Sequence, residues 1–195
     1  MENIEQPCFS FFIPKQKERN LFFSEQVDQE SIVNIIRDNI EINELDDYME
    51  KFYMIHDLEY KRKPIKLFID SYGGDTYQCF GLISIMEASK TEVHTYITGA
   101  AMSCGFMIAI CGHKRFCYKL STPLYHQIST GIWGTLKEVE EDVKEARRLQ
   151  KKIEEIVMSK TKITKEQLEK IYKRKKDWYI TPKEAIKLGI VDEIV

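Results

Sequence analysis

Three side chains here have the types that nucleophilic hydrolysis needs: Ser103, His126 and Asp177. Ser103 lies in Gly99-Ala100-Ala101-Met102-Ser103-Cys104-Gly105. An extended apolar stretch, Val93 to Ile97, precedes it, and an apolar run, Phe106 to Ile110, follows it. This pattern predicts a strand, a tight glycine-bearing turn and a buried helix. A serine at that turn stands at a helix N-terminus. There the free backbone N–H groups and the positive dipole end favour a developing oxyanion. The plain alternative is a helix N-cap, a role serine fills well, and on this segment alone the cap is favoured.

Two other segments shift that balance. Tyr125-His126-Gln127 ends a second extended segment, and Asp177 sits in Lys176-Asp177-Trp178-Tyr179-Ile180-Thr181. A serine nucleophile needs a base to take its proton, and the base needs a carboxylate to fix its tautomer. Of the four histidines, His56, His94, His113 and His126, only His126 lies between a strand-like run and a glycine-bearing loop, Ser129 to Gly134. The chain order Ser, His, Asp is compatible, because the triad geometry recurs in several orders.

The positioning elements read as alternating strands and helices. Strands are predicted at Ile65 to Ile69, Val93 to Ile97, Phe116 to Tyr118 and Pro123 to His126. Helical spacing covers Ser31 to Asn39 and recurs in the acidic, aromatic stretch Glu41 to Tyr60. Further helices are expected at Asp75 to Ser89, at Ser103 to Ile110, at Leu136 to Ser159 and from Thr164. Thr181-Pro182-Lys183-Glu184 caps a last helix that Gly189 closes. Repeated strand–helix units imply an α/β fold with parallel strands. Met1 to Lys17 reads as an N-terminal arm, and residues 18–195 as a single domain.

Composition excludes several classes. The net charge of −2 leaves no basic excess for nucleic acid, and the local cluster Lys170 to Lys176 reads as a solvated helix face. Five cysteines, Cys8, Cys79, Cys104, Cys111 and Cys117, form no CxxC pair, so no metal site is expected. Cys79, Cys104 and Cys111 read as small core residues, a usage suited to a reducing compartment. No signal peptide and no membrane-spanning run is visible, so no membrane partner and a cytoplasmic location are expected. No GxxxxGK[ST] is present, so any ATP would be used by a partner.

With these segments in order, the chain resembles the Clp proteolytic-subunit family of serine peptidases. The resemblance runs through Glu18 to Phe23 and Gln26-Val27-Asp28, then Leu67 to Gly74, then Gly99 to Gly105. It continues through Lys114 to Cys117, His126-Gln127, Asp177, Glu184-Ala185 and Gly189 to Asp192. It implies a repeated β-β-α spiral core of crotonase-like type, with the long helix after Leu136 projecting as a handle. Ser103 would be the nucleophile, His126 the general base and Asp177 the orienting carboxylate. The backbone N–H groups of Gly74 and Cys104 would form the oxyanion hole, and Gly73 and Gly131 would bind substrate backbone. The implied substrates are peptides and unfolded proteins, without metal or organic cofactor. The implied partners are further copies in a ring, or in two stacked rings, and an AAA+ ATPase unfoldase.

Departures from the family pattern are legible too. Tyr72 replaces the proline of the oxyanion turn, and Asp75 follows that turn where an apolar residue is usual. Asp75 is expected to point outward and support a helix start. Ile128 to Gly134 keeps only Gly131 of a glycine pair, and Lys176 replaces an arginine that bridges rings. An insertion of roughly a dozen residues is expected around 41–60. Three other readings stay open: a non-catalytic ring subunit, a crotonase-type acyl-CoA enzyme and a phage-type processing peptidase of the same fold.

Overall fold

The computed structural model describes residues 17–174 and 176–195. The expected arm, Met1 to Lys17, lies outside them apart from Lys17. The fold is mixed α/β, as expected. In chain order it comprises β1 (Asn20–Phe23), α1 (Gln29–Ile55), β2 (Ile65–Ser71), α2 (Thr76–Ala88), β3 (Val93–Met102) and α3 (Cys104–Ile110). There follow β4 (Lys114–Cys117), β5 (Thr122–Tyr125), α4 (Leu136–Lys160), α5 (Lys165–Arg174), β6 (Trp178–Tyr179), α6 (Pro182–Lys187) and β7 (Glu193–Ile194).

β3 is the centre of the sheet. β2 pairs along one edge in parallel, and the other edge is shared. β4 takes His94 to Ile97, and β5 takes Ala100 to Met102. β1 extends the sheet beyond β2, and β7 beyond β4, both in parallel. β6 runs antiparallel to β5. β2 alternates, with Ile65, Leu67, Ile69 and Ser71 buried. Its other face carries Phe68 in an aromatic row across the strands, Phe22–Phe68–Tyr96–Phe116, with ring centroids 5.2, 5.0 and 4.5 Å apart.

Two elements run furthest beyond the sequence prediction. β3 runs on through Gly99-Ala100-Ala101 to Met102, so the turn is Ser103 alone and not a glycine-bearing loop. Small residues explain this. The Asp70 carboxylate accepts from the Ala100 N–H at 2.7 Å, and a Cβ on Gly99 would collide with that carboxylate. The second element is α1. The expected helix at Ser31 to Asn39 and the helical part of 41–60 form one 27-residue helix. No Pro or Gly stands between Val27 and Lys63 to break it. The buried stripe Ile32, Ile35, Asn39, Ile42, Asp46 and Met49 keeps helical spacing along it.

Asp46 anchors the far half of α1. Its fully buried carboxylate accepts from Arg19 at 2.5 and 3.0 Å, from Tyr60 at 2.6 Å and from Thr91 at 2.6 Å. Burial pushes this carboxyl up, but the Arg19, Thr91 and Tyr60 hydrogen bonds outweigh it and hold the group below its ordinary value. Its stabilising contribution is therefore full above the ordinary carboxylate range and is lost as pH falls through the depressed value. Asp46→Asn strands the Arg19 charge and is expected to lower stability by about 3–5 kcal/mol near neutral pH. Denaturant unfolding at two pH values checks this. A loss under about 1 kcal/mol would show that the network contributes little.

α4 behaves as the handle expectation requires. Its buried residues, Leu149, Gln150, Ile153 and Val157, all lie in the C-terminal half, while Leu136 near its start is 76% exposed. α6 begins with Thr181 as the expected N-cap and Pro182 after it, and Glu184 completes a capping box.

Candidate active site

The parallel strands deliver three segments to one edge of the sheet. β2 ends at Ser71 and leads into Gly73-Gly74, β3 ends next to Ser103, and β5 ends next to His126. This is the carboxyl end of the strands, where open α/β sheets place their sites. Gly74, Ser103, Cys104 and His126 line one cleft of about 210 Å³. Apolar walls come from Met107 and Ile128, and Ile153 reaches it from α4.

Ser103 holds a backbone conformation that side chains avoid, φ 53° and ψ −119°. Such a residue costs about 1–3 kcal/mol and persists only where its surroundings fix it. Here they do. Its N–H donates to Leu124 O at 3.1 Å, and its C=O accepts from Met107 N–H at 3.1 Å. Ser103 occupies the N-cap position of α3, yet its side chain makes no capping hydrogen bond. The backbone is held on both sides and the hydroxyl is left over. That removes the plain cap alternative.

Gly73 and Gly74 must be glycine. Both have positive φ, 99° and 149°. A Cβ on Gly73 would lie 2.7 Å from Ser103 Cβ and 2.8 Å from Met102 O. A Cβ on Gly74 would strike the Val27 backbone. Val27 N–H donates to Gly73 O at 2.8 Å, and Asp75 N–H donates to Val27 O at 2.7 Å. This bridge uses the groups on either side of the Gly74 N–H and leaves that amide outside the ladder. The Cys104 N–H opens α3, so it has no partner one turn back.

His126 and Asp177 meet through the antiparallel pair of β5 and β6. β5 and β6 align Tyr125 with Trp178, so the next residue of one strand faces the preceding residue of the other. His126 Nδ1 lies 3.8 Å from Asp177 Oδ1. This is an ion-pair distance, longer than a hydrogen bond. Asp177 is half exposed and His126 about a quarter. Nδ1 faces the carboxylate, which leaves Nε2 for the cleft.

The sequence matches the model of the Clp protease family over residues 15–195. The chain belongs to the Clp protease family. It is similar to the ATP-dependent Clp protease proteolytic subunit of Deinococcus radiodurans. The two are 28% identical over 144 residues, covering 73% of this chain and 70% of that relative. This membership makes the chain a protease by family and sets aside the acyl-CoA alternative.

Set against the Clp family expectations, Ser103, His126, Gly74 and Cys104 line the cleft itself. Gly73 lies behind Ser103, and Asp177 lies beside His126. Gly131 lines an adjoining groove of about 380 Å³ that shares Gly74, Thr76, Ile128 and Ser129 with the cleft. Asp75 points outward and caps α2, accepting from Gln78 N–H at 2.8 Å. Cys79, Cys104, Cys111 and Cys117 are free and buried, but Cys104 is more than a core residue because it faces the cleft.

Sequence reasoning missed three contributors. Met107 stands four residues after Ser103, so helical spacing could have placed it on the same face. Ile153 and Gln150 carry no local signal. Gln150 accepts from Ile128 N–H at 2.9 Å and donates to Tyr125 Oη at 3.3 Å, so α4 fixes the chain on both sides of His126. Burial pushes the Tyr125 hydroxyl up to about 12. Among the described residues, no group of three His, Cys, Asp or Glu side chains is arranged to hold a metal. No described helix is long and apolar enough to cross a membrane.

Proposed function

We propose that this chain is a serine endopeptidase of the Clp proteolytic-subunit type, cleaving peptides and unfolded proteins inside a ring-shaped chamber. The observation that carries the reading is Ser103, held at positive φ with an uncapped hydroxyl, in one cleft with His126 and two amides outside regular pairing. Ser103 Oγ attacks the scissile carbonyl while His126 Nε2 takes its proton. The carbonyl oxygen becomes an oxyanion against the N–H groups of Gly74 and Cys104. His126 then gives the proton to the leaving amine, and Asp177 stabilises the imidazolium in between. Water, activated through His126, releases the acyl group and restores the serine. Gly73 and Gly131 serve the substrate backbone, and the steps need no metal or organic cofactor.

The working unit is a ring of copies, or two stacked rings, of a single domain at 18–195 with an arm at 1–17 and an insertion around 41–60. An AAA+ ATPase unfoldase is the proposed partner, supported by the name of the relative, and the proposed location is cytoplasmic. The 3.8 Å His126–Asp177 separation belongs to a single chain, and assembly is the step that closes it. A fluorophosphonate probe, located by peptide mass spectrometry, is expected to label Ser103. Sedimentation velocity is expected to give particles several times 23.0 kDa that label faster than single chains. Labelling at another serine, or none, would remove Ser103 as nucleophile. Equal labelling of single chains and assemblies would remove the coupling to assembly.

A further inference from the structure

The two donors of the proposed oxyanion hole belong to separate segments, and something must hold them in one geometry. The Gly73-Gly74 turn has no side chain to fix it, and glycine rotates more freely than any other residue. Val27 holds the turn from one side: it donates to Gly73 O and accepts from Asp75 N–H. The peptide plane between Gly74 and Asp75 has its carbonyl on the opposite side. There Gly74 O accepts from the Cys104 thiol at 3.2 Å. Cys104 follows Ser103 directly, opens α3 and is 4% exposed.

The thiol sits at a junction. Cys79, on α2, donates to Cys104 O at 3.5 Å, so α2 and the start of α3 are tied at the same point. Thr76 and Cys79, both on α2, lie close to the Cys104 thiol as well. The sulfur thus has polar neighbours on the glycine turn and on α2, and Cys104 lines the cleft.

We infer that the Cys104 side chain is a positioning group: by bonding Gly74 O it sets the Gly74 amide in a fixed relation to the Cys104 amide, with Ser103 between them. The inference rests on the reading of those two amides as oxyanion donors. One residue then supplies a donor through its backbone and secures the second donor through its side chain. A donor that drifts from the developing charge loses much of its effect, which is why the clamp acts on the chemical step and not on substrate binding. A thiol is a weak donor, so the expected effect is about tenfold in rate.

The test uses the full chain and three variants, Cys104→Ala, Cys104→Val and Cys104→Ser. Alanine removes the donor, valine removes it while filling the space, and serine keeps an O–H. The readouts are kcat and KM on a fluorogenic peptide, and inhibition by a peptide aldehyde whose hemiacetal oxygen occupies the hole. Alanine and valine are expected to lower kcat about tenfold with KM unchanged and to weaken the aldehyde by a similar factor. Serine is expected to stay within about threefold of the parent on both. Unchanged kcat and aldehyde inhibition in the alanine and valine variants, or a serine variant as impaired as they are, overturns the inference and leaves Cys104 as packing. A parent chain that neither hydrolyses peptide nor takes the fluorophosphonate at Ser103 overturns the peptidase reading itself, and the clamp with it.

Discussion

Ser103→Ala is expected to abolish peptide hydrolysis while leaving the chain as stable as before. Removing a triad nucleophile lowers the rate on the order of 10⁴-fold or more. The stability half of this expectation separates two roles. A serine that caps a helix loses about 1 kcal/mol on replacement by alanine. Ser103 makes no capping bond, so the change should stay within about 0.5 kcal/mol. Ser103→Gly extends the argument. Glycine takes φ 53° without the side-chain strain, so this variant should be inactive and more stable than the parent. Thermal unfolding and peptidase rates on the same preparations decide the matter. An active Ser103→Ala protein, or an inactive one that has lost a cap's worth of stability, would be a serious failure of the reading.

Gly73→Ala carries the second large effect, and it acts on both fold and rate. The new Cβ would stand 2.7 Å from Ser103 Cβ, 2.8 Å from Met102 O and 3.0 Å from Cys104 N. None of these atoms is the far end of a flexible side chain, so the backbone itself must move. Positive φ adds strain of about 1–3 kcal/mol, and overpacking adds about 1–3 kcal/mol more. The atoms that move are the proposed nucleophile and the residue supplying an oxyanion donor. A displacement near 1 Å there can lower the rate about 10²-fold. The expected result is a lower melting temperature together with at least a hundredfold fall in kcat/KM. Gly81 supplies the control. It lies within α2 with open space where a Cβ would go, so Gly81→Ala should leave the rate unchanged and raise stability by up to about 1 kcal/mol. A Gly73→Ala protein with normal stability and normal rate would show that the turn is not closely packed on Ser103.

The sequence by itself determined the element types and singled out the residues proposed for the chemistry. Apolar runs bounded by turn residues marked the strands, and caps such as Thr181-Pro182-Lys183-Glu184 marked helix starts, because those signals are local. Motif types and their order singled out Ser103, His126 and Asp177 in the same way, and the outward direction of Asp75 followed from its place before a helix. The length of β3 was not legible. It depends on Asp70, thirty residues earlier, accepting from Ala100 N–H and on β5 pairing with Ala100 to Met102. The continuity of α1 exceeds what local spacing predicts, since its far half is secured by Asp46 to Arg19 and Thr91.

Tertiary structure alone decided how the site comes together. The antiparallel register of β5 and β6 brings His126 beside Asp177, fifty-one positions later, and no local pattern encodes a register between distant strands. The positive φ of Ser103 is held by Leu124, whose carbonyl on β5 accepts from the Ser103 N–H. The Cys104–Gly74 bond depends on β2 and β3 being neighbours that end at the same level. Sequence fixes local preference because propensity and capping act within a few residues. Side-chain geometry at the cleft is a product of long-range packing, in which each group is held by partners far away in the chain.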